Sequence, residues 1–215
     1  MMPMKKWLII VVLTGLVIIG RLYAQTELNQ LDGNKELRNG DIIFQTSLSE
    51  QSKAIQLATK SKFSHCGIVF KYGPNYYVFE AVQPVKRTAL DKWIARGQDG
   101  RYVVKRLKNA DQILTGTVLV KMKQICNQLK GKSYDLTFEW SDDKIYCSEL
   151  IWKIYKRAAG IEIGKLEKLS DFDLKNDAVK KKMKERYGNN IPLNETVISP
   201  AAIFNSELLT TVKSN

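Results

Sequence analysis

Ser64-His65-Cys66-Gly67-Ile68-Val69-Phe70 is the stretch on which the reading of this chain turns. It carries the only histidine of the sequence inside an apolar, β-branched run, so it reads as a strand. Gly73-Pro74-Asn75 follows as a turn, and Tyr76-Tyr77-Val78-Phe79-Glu80-Ala81-Val82 as the returning strand of a hairpin. Consecutive strand residues face opposite sides. His65 therefore shares a face with Gly67 and Val69, while Cys66 points the other way with Ser64 and Ile68. The neighbours His65 and Cys66 cannot form a catalytic dyad in a regular strand, and Cys66 reads as a small buried core residue. With Gly73-Pro74 as a two-residue loop, Tyr72 pairs with Asn75 and Glu80 lies opposite Gly67. That is one diagonal step from His65 on the same face, within reach of a long side chain. A carboxylate there can accept the second ring N–H of His65 and fix its tautomer. An odd-length loop would turn Glu80 to the other face, where it would be an ordinary solvated carboxylate.

Tyr146-Cys147-Ser148-Glu149-Leu150-Ile151-Trp152 opens a second decisive stretch. Leu150, Ile151, Ile154, Tyr155 and Ala158 recur at helical spacing. Asp142 and Asp143 precede the helix and are expected to cap it, which puts Cys147 in the first turn. The helix dipole favours a thiolate there, and unpaired N–H groups can hold an oxyanion. A buried helix cysteine is the competing reading, and it is the one that suits Cys126. Tyr146 is a candidate pocket residue, although an aromatic just before a helix more often packs.

Around these two blocks the pattern is mixed. Ile42-Ile43-Phe44 reads as a short buried strand. Ser47 and Glu50 have capping-box spacing and start a helix to about residue 59. A short helix is expected over 89–94, a strand over 102–107, and a helix from Asp111 to about Leu129, stopped by Gly131. The Cys147 helix should end at Gly160, residues 165–190 are charged and helical in pattern, and Pro200-Ala201-Ala202-Ile203-Phe204 is a short apolar piece. The class is α+β, an antiparallel sheet with helices packed on it.

The amino terminus reads as an export signal. Lys5 and Lys6 precede the apolar run from Trp7 to Gly20, and Ala24 is a small residue where a peptidase could cut. An uncleaved membrane anchor is the alternative, disfavoured because the run is shorter than the roughly 20 residues of a typical span. The expected organisation is a signal peptide over 1–24, a linker over 25–36, and one hydrolase-sized domain over 37–215 with a charged insertion at about 165–190. Cleavage leaves 191 residues and lowers the net charge from +12 to +9. Such a charge suits anionic surroundings in the cell envelope, and export argues against nucleic acid. Three cysteines make no disulfide framework, and one histidine with scattered cysteines has no metal-ligand spacing; no metal and no cofactor are expected.

Five blocks also carry a family resemblance: Asn39-Gly40-Asp41-Ile42-Ile43-Phe44, the His65 strand, Val78-Phe79-Glu80-Ala81, Gly131-Lys132-Ser133-Tyr134-Asp135, and the Cys147 block. Together they resemble the permuted papain-like cysteine amidohydrolases of the NlpC-type superfamily, which includes lecithin–retinol acyltransferase-like enzymes. The histidine precedes the cysteine, as in the permuted branch. The resemblance covers roughly residues 37–160, with a weaker echo at Ser199-Pro200-Ala201 and no counterpart for 165–190. It implies Cys147 as nucleophile, His65 as base and Glu80 as the group that orients the base.

The expected activity is that of a secreted or periplasmic cysteine hydrolase. It would cleave an amide or acyl bond in peptidoglycan peptides or acylated lipids through a thioester. An acyltransferase using the same site is the near alternative. A non-catalytic, basic envelope-binding protein is the distant one, motivated by Val179-Lys180-Lys181-Lys182-Met183-Lys184-Glu185-Arg186. That run is otherwise the solvated face of a surface helix.

Overall fold

The computed structural model describes residues 36–215. The signal peptide expected over 1–24, and the linker up to residue 35, lie outside the described residues. The described chain enters β1 (Ile42–Gln45), passes through α1 (Glu50–Thr59), and returns as β2 (His65–Tyr72). The hairpin continues into β3 (Asn75–Glu80) and β4 (Lys86–Ala89), followed by α2 (Leu90–Ala95) and β5 (Val103–Leu107). Next come α3 (Ala110–Ile113), α4 (Gly116–Leu129), the short strands β6 (Ser133–Tyr134) and β7 (Lys144–Ile145), and α5 (Cys147–Ala159). The last part holds β8 (Glu167–Lys168), α6 (Asp177–Tyr187), β9 (Thr196–Val197), α7 (Pro200–Phe204) and β10 (Leu209–Ser214).

Six of these strands make one antiparallel sheet in the order β10-β5-β1-β2-β3-β4. Its two faces follow the strand alternation. Phe44, Cys66, Ile68 and Phe70 join the larger core with α4 and α5, including Met122, Leu150 and Ile154. Ile43, Val69, Val78 and Val104 face the other way onto Trp93 of α2. The expected α+β architecture, an antiparallel sheet packed against helices, is the observed one.

Three local expectations are corrected. Ser49, not Ser47, caps α1, its Oγ accepting the Ser52 N–H at 3.1 Å. The helix expected from Asp111 breaks in two, because Thr115 leaves the helical conformation and its hydroxyl accepts from Val118 N–H to start α4. Within 165–190 only Asp177–Tyr187 is α-helical; β8 precedes it and pairs with β9 beyond it, and Asn176 caps α6 through the Ala178 N–H. The edge strands β4 and β10 are mostly exposed and polar, so no apolar alternation announced them. Gly160 does end α5, in the left-handed conformation at φ 73°.

Candidate active site

The β2–β3 register decides the site. Tyr72 pairs with Asn75 and Ile68 with Phe79, the pairing expected of a Gly73-Pro74 loop. Glu80 therefore reaches His65, and His65 Nε2 and Glu80 Oε2 lie 2.6 Å apart. The Glu80 side chain is fully buried and also accepts from Thr88 Oγ1 of β4 at 2.6 Å and from Arg96 just after α2. Gly67 makes the approach feasible. A Cβ there would overlap Val78 Cγ1 and stand 2.9 Å from the Phe79 carbonyl oxygen. The His65 ring stacks on Trp93, with centroids 5.8 Å apart.

Cys147 is the first residue of α5, after Tyr146 in extended conformation. Asp142 and Asp143 do not cap this helix. Glu149 does, accepting the Tyr146 backbone N–H at 3.3 Å, while Asp142 is drawn off by Lys153 and Arg157. His65 and Cys66 are the groups that act on the Cys147 thiol. Since Nε2 of His65 is held by Glu80, its Nδ1 is the nitrogen left for Cys147. The result is a continuous chain from Glu80 through His65 to a cysteine at a helix start.

Electrostatics match this arrangement. Burial opposes a charged His65 ring, but the bonds to Cys147 and Glu80 outweigh it and raise the ring to about 9. Burial also pushes Glu80 up, yet His65, Thr88 and Arg96 hold it below the ordinary carboxylate value. The Cys66 thiol donating to Cys147 pulls the latter well below an ordinary thiol; burial opposes this and His65 reinforces it. Cys66 moves up, through burial and through the neighbouring Cys147. Cys66 faces away from the His65 side as expected, but it is more than filler: α5 packs on its face and brings Cys147 to it.

Two cavities meet here. One, about 700 Å³ with its open mouth, is lined almost wholly by apolar atoms and has Tyr146, Cys147 and Ser148 in its wall. The other, about 840 Å³ with its mouth, is a hydroxyl-rich cleft at His65 that includes Ser47, Ser49, Ser52 and Ser64. Gln51 and Tyr134 line both, and Gln51 Nε2 donates to Tyr134 Oη at 2.9 Å. Tyr146 borders the apolar cavity as expected, its hydroxyl accepting the Ile198 N–H. Gln51 and Tyr134 escaped the residue-by-residue reading. Tyr134 lay inside a resemblance block without a role, and no spacing rule ties either residue to Cys147.

A histidine strand that precedes a cysteine helix, with the two meeting at a sheet end, is the layout of a permuted papain-like enzyme. The comparisons agree. The family profile described as "Permuted papain-like amidase enzyme, YaeF/YiiX, C92 family" matches residues 36–213. This chain is 51% identical over 175 residues to the uncharacterized protein YiiX of Escherichia coli strain K12, covering 81% of this chain and 85% of that protein. It is similar to the crystal structure of metalloprotein yiiX from Escherichia coli O157:H7, with a TM-score of 0.79 and 51% identity over 83% of this chain and 97% of that one. The chain belongs to the permuted papain-like amidase family C92, and it is an amidase-type hydrolytic enzyme.

Proposed function

We propose that Cys147 is the nucleophile of this amidase, His65 its acid–base group and Glu80 the residue that orients His65. The 2.6 Å His65–Glu80 bond, with Cys147 at the start of α5 acting on the same imidazole, carries the reading. The Cys147 thiolate attacks the acyl carbon, and N–H groups at the start of α5 receive the oxyanion. Collapse breaks the C–N bond, and the His65 imidazolium gives its proton to the departing amine. Water then attacks the thioester, His65 takes its proton, and release of the carboxylic acid restores the thiolate–imidazolium pair.

The O157:H7 relative is described as a metalloprotein. Among the described residues of this chain, no three His, Cys, Asp or Glu side chains are grouped as a metal site. No step is routed through a metal.

Residues 1–24 act as an export signal in this reading, which places the enzyme, a single domain over 37–215, at the cell envelope. Among the described residues no helix is long and apolar enough to cross a membrane. The apolar cavity at Cys147 favours acylated lipids over peptidoglycan peptides as the source of the scissile bond. Acyl transfer is the second reading, because the hydroxyl-rich cleft at His65 could seat an amine or alcohol acceptor in place of water.

The test is the pH dependence of Cys147 alkylation, mapped by mass spectrometry, with amide hydrolysis assayed in parallel. Labelling well below the pH ~8.5 of a free thiol, lost in His65→Ala, supports the pair. Cys147→Ala should fold normally and hydrolyse nothing; retained turnover in that variant overturns the assignment.

A further inference from the structure

The basic run at residues 179–186 plays no part in the chemistry above, yet the fold gives it an inner and an outer face. Val179, Lys182, Met183 and Arg186 stand at i, i+3, i+4, i+7 spacing on α6, and all four line the apolar cavity that contains Cys147. Lys180, Lys181 and Lys184 are exposed on the outer side. Gln51, Ala54, Ile55 and Ala58 line the same cavity from α1, at matching spacing. The cavity is thus a slot between one face of each helix.

The inner face of α6 is chemically divided. Val179 and Met183 are buried and pack with Leu57 and Ala58. Lys182 is paired with Glu185 at 2.7 Å and Glu50 at 3.5 Å. Arg186 differs: among the described residues its guanidinium rests on the Phe138 ring at 4.8 Å and forms no ion pair with a carboxylate. Phe138 itself lines the cavity, and the Arg186 charge is felt at Tyr134 beside Cys147. That charge is also felt by the exposed Glu185 next to it, which points to solvent rather than into the slot's lining. An apolar slot with a cation on its edge suits a molecule that is apolar along its length and negative at one end.

We propose that α6 is the specificity element of this enzyme and selects acyl substrates that carry an anionic group, the chain lying along Val179 and Met183 and the anion pairing with Arg186. Val179 and Arg186 are seven residues apart, about 10 Å along the helix, so a chain of several carbons fits between them. The inference rests on the reading that the acyl half of the substrate occupies the Cys147 cavity.

The test is binding, so it does not depend on turnover. Full-chain Cys147→Ala protein is loaded with the neutral apolar dye N-phenyl-1-naphthylamine. The dye is displaced by N-decanoylglycine, by its neutral counterpart N-decanoylglycinamide, by the short N-butanoylglycine and by decyl phosphate. N-decanoylglycine should displace the dye at roughly tenfold lower concentration than the neutral or the short compound. Arg186→Gln should erase the preference over the neutral compound, whereas Lys180→Gln with Lys184→Gln should leave it. Met183→Trp, or Ala58→Leu if that variant fails to fold, should erase the preference for the long chain. Decyl phosphate binding as well as N-decanoylglycine marks a general anion edge, and binding more weakly marks a carboxylate edge; either outcome supports the proposal. Equal displacement by charged and neutral compounds, or a preference that survives in Arg186→Gln, overturns it. Selective binding with no hydrolysis by the native enzyme would count against the Cys147 chemistry. Hydrolysis with no charge or chain preference would count against α6.

Discussion

Replacing Glu80 by Gln keeps the size of a fully buried side chain and removes its charge. Its three partners, His65 at 2.6 Å, Thr88 at 2.6 Å and Arg96, are all donors when His65 is protonated. A carboxylate accepts from all three, whereas an amide must turn its NH₂ group toward one of them. Burial alone disfavours the imidazolium, so the His65 pKa falls from about 9 once the countercharge goes. In the native protein that pKa is raised above its unfolded value of 6.5. The stabilisation it brings is therefore full below pH 6.5 and is lost as pH rises through about 9. At 1.36 kcal/mol per unit, the rise corresponds to about 3 kcal/mol. Glu80 has the opposite sign: its pKa is lowered, so its share is present above 4.5 and lost in acid. Cys147 raises the ring too, and by more than Glu80 does, so Glu80→Gln should remove only part of this, about 1–2 kcal/mol near pH 6. That is below the usual cost of a broken buried pair, because the Arg96 side chain is 43% exposed and can turn to water. The deficit should shrink above pH 9 and below pH 4, as read by urea denaturation across that range. At pH 7, kcat/KM should fall about 1,000- to 10,000-fold, as when a triad carboxylate is neutralised. A loss of less than tenfold, together with a stability deficit that does not vary with pH, would refute the reasoning.

Gly67→Ala should wedge β2 from β3 beside the His65–Glu80 pair, costing about 1–3 kcal/mol in thermal denaturation and lowering kcat more than it raises KM. Cys66→Ala removes the thiol that donates to Cys147, so the pH midpoint of mass-mapped Cys147 alkylation should move up toward that of a free thiol, at a cost of about 1 kcal/mol in stability. Asp41→Ala breaks the buried fork in which Arg106 Nε and Nη2 donate to Asp41 at 2.7 and 2.8 Å. It should lose about 3–5 kcal/mol in urea while leaving the pH profile of Cys147 labelling unchanged.

The candidate site divides along the same line as these variants. The His65–Glu80 half was legible because it is local: a two-residue loop sets the register, and alternation decides which side chains share a face. The start of α5 at Cys147 and its end at Gly160 were legible from apolar spacing and a glycine. The caps were less so. Ser47, Ser49, Asp142 and Asp143 are all competent cap residues, and long-range partners such as Lys153 and Arg157 decide which of them serve.

Sequence alone determined the strand faces, the hairpin register and the cysteine at a helix start, since each depends on dihedral preferences and spacings within a few residues. Only tertiary structure decided what those faces meet. Packing of α5 on the Cys66 side brought Cys147 to both Cys66 and His65, and it joined Gln51, Tyr134 and Arg186 around one cavity. Contacts between residues 50 to 130 positions apart follow from how helices close over a sheet, and no local periodicity encodes them.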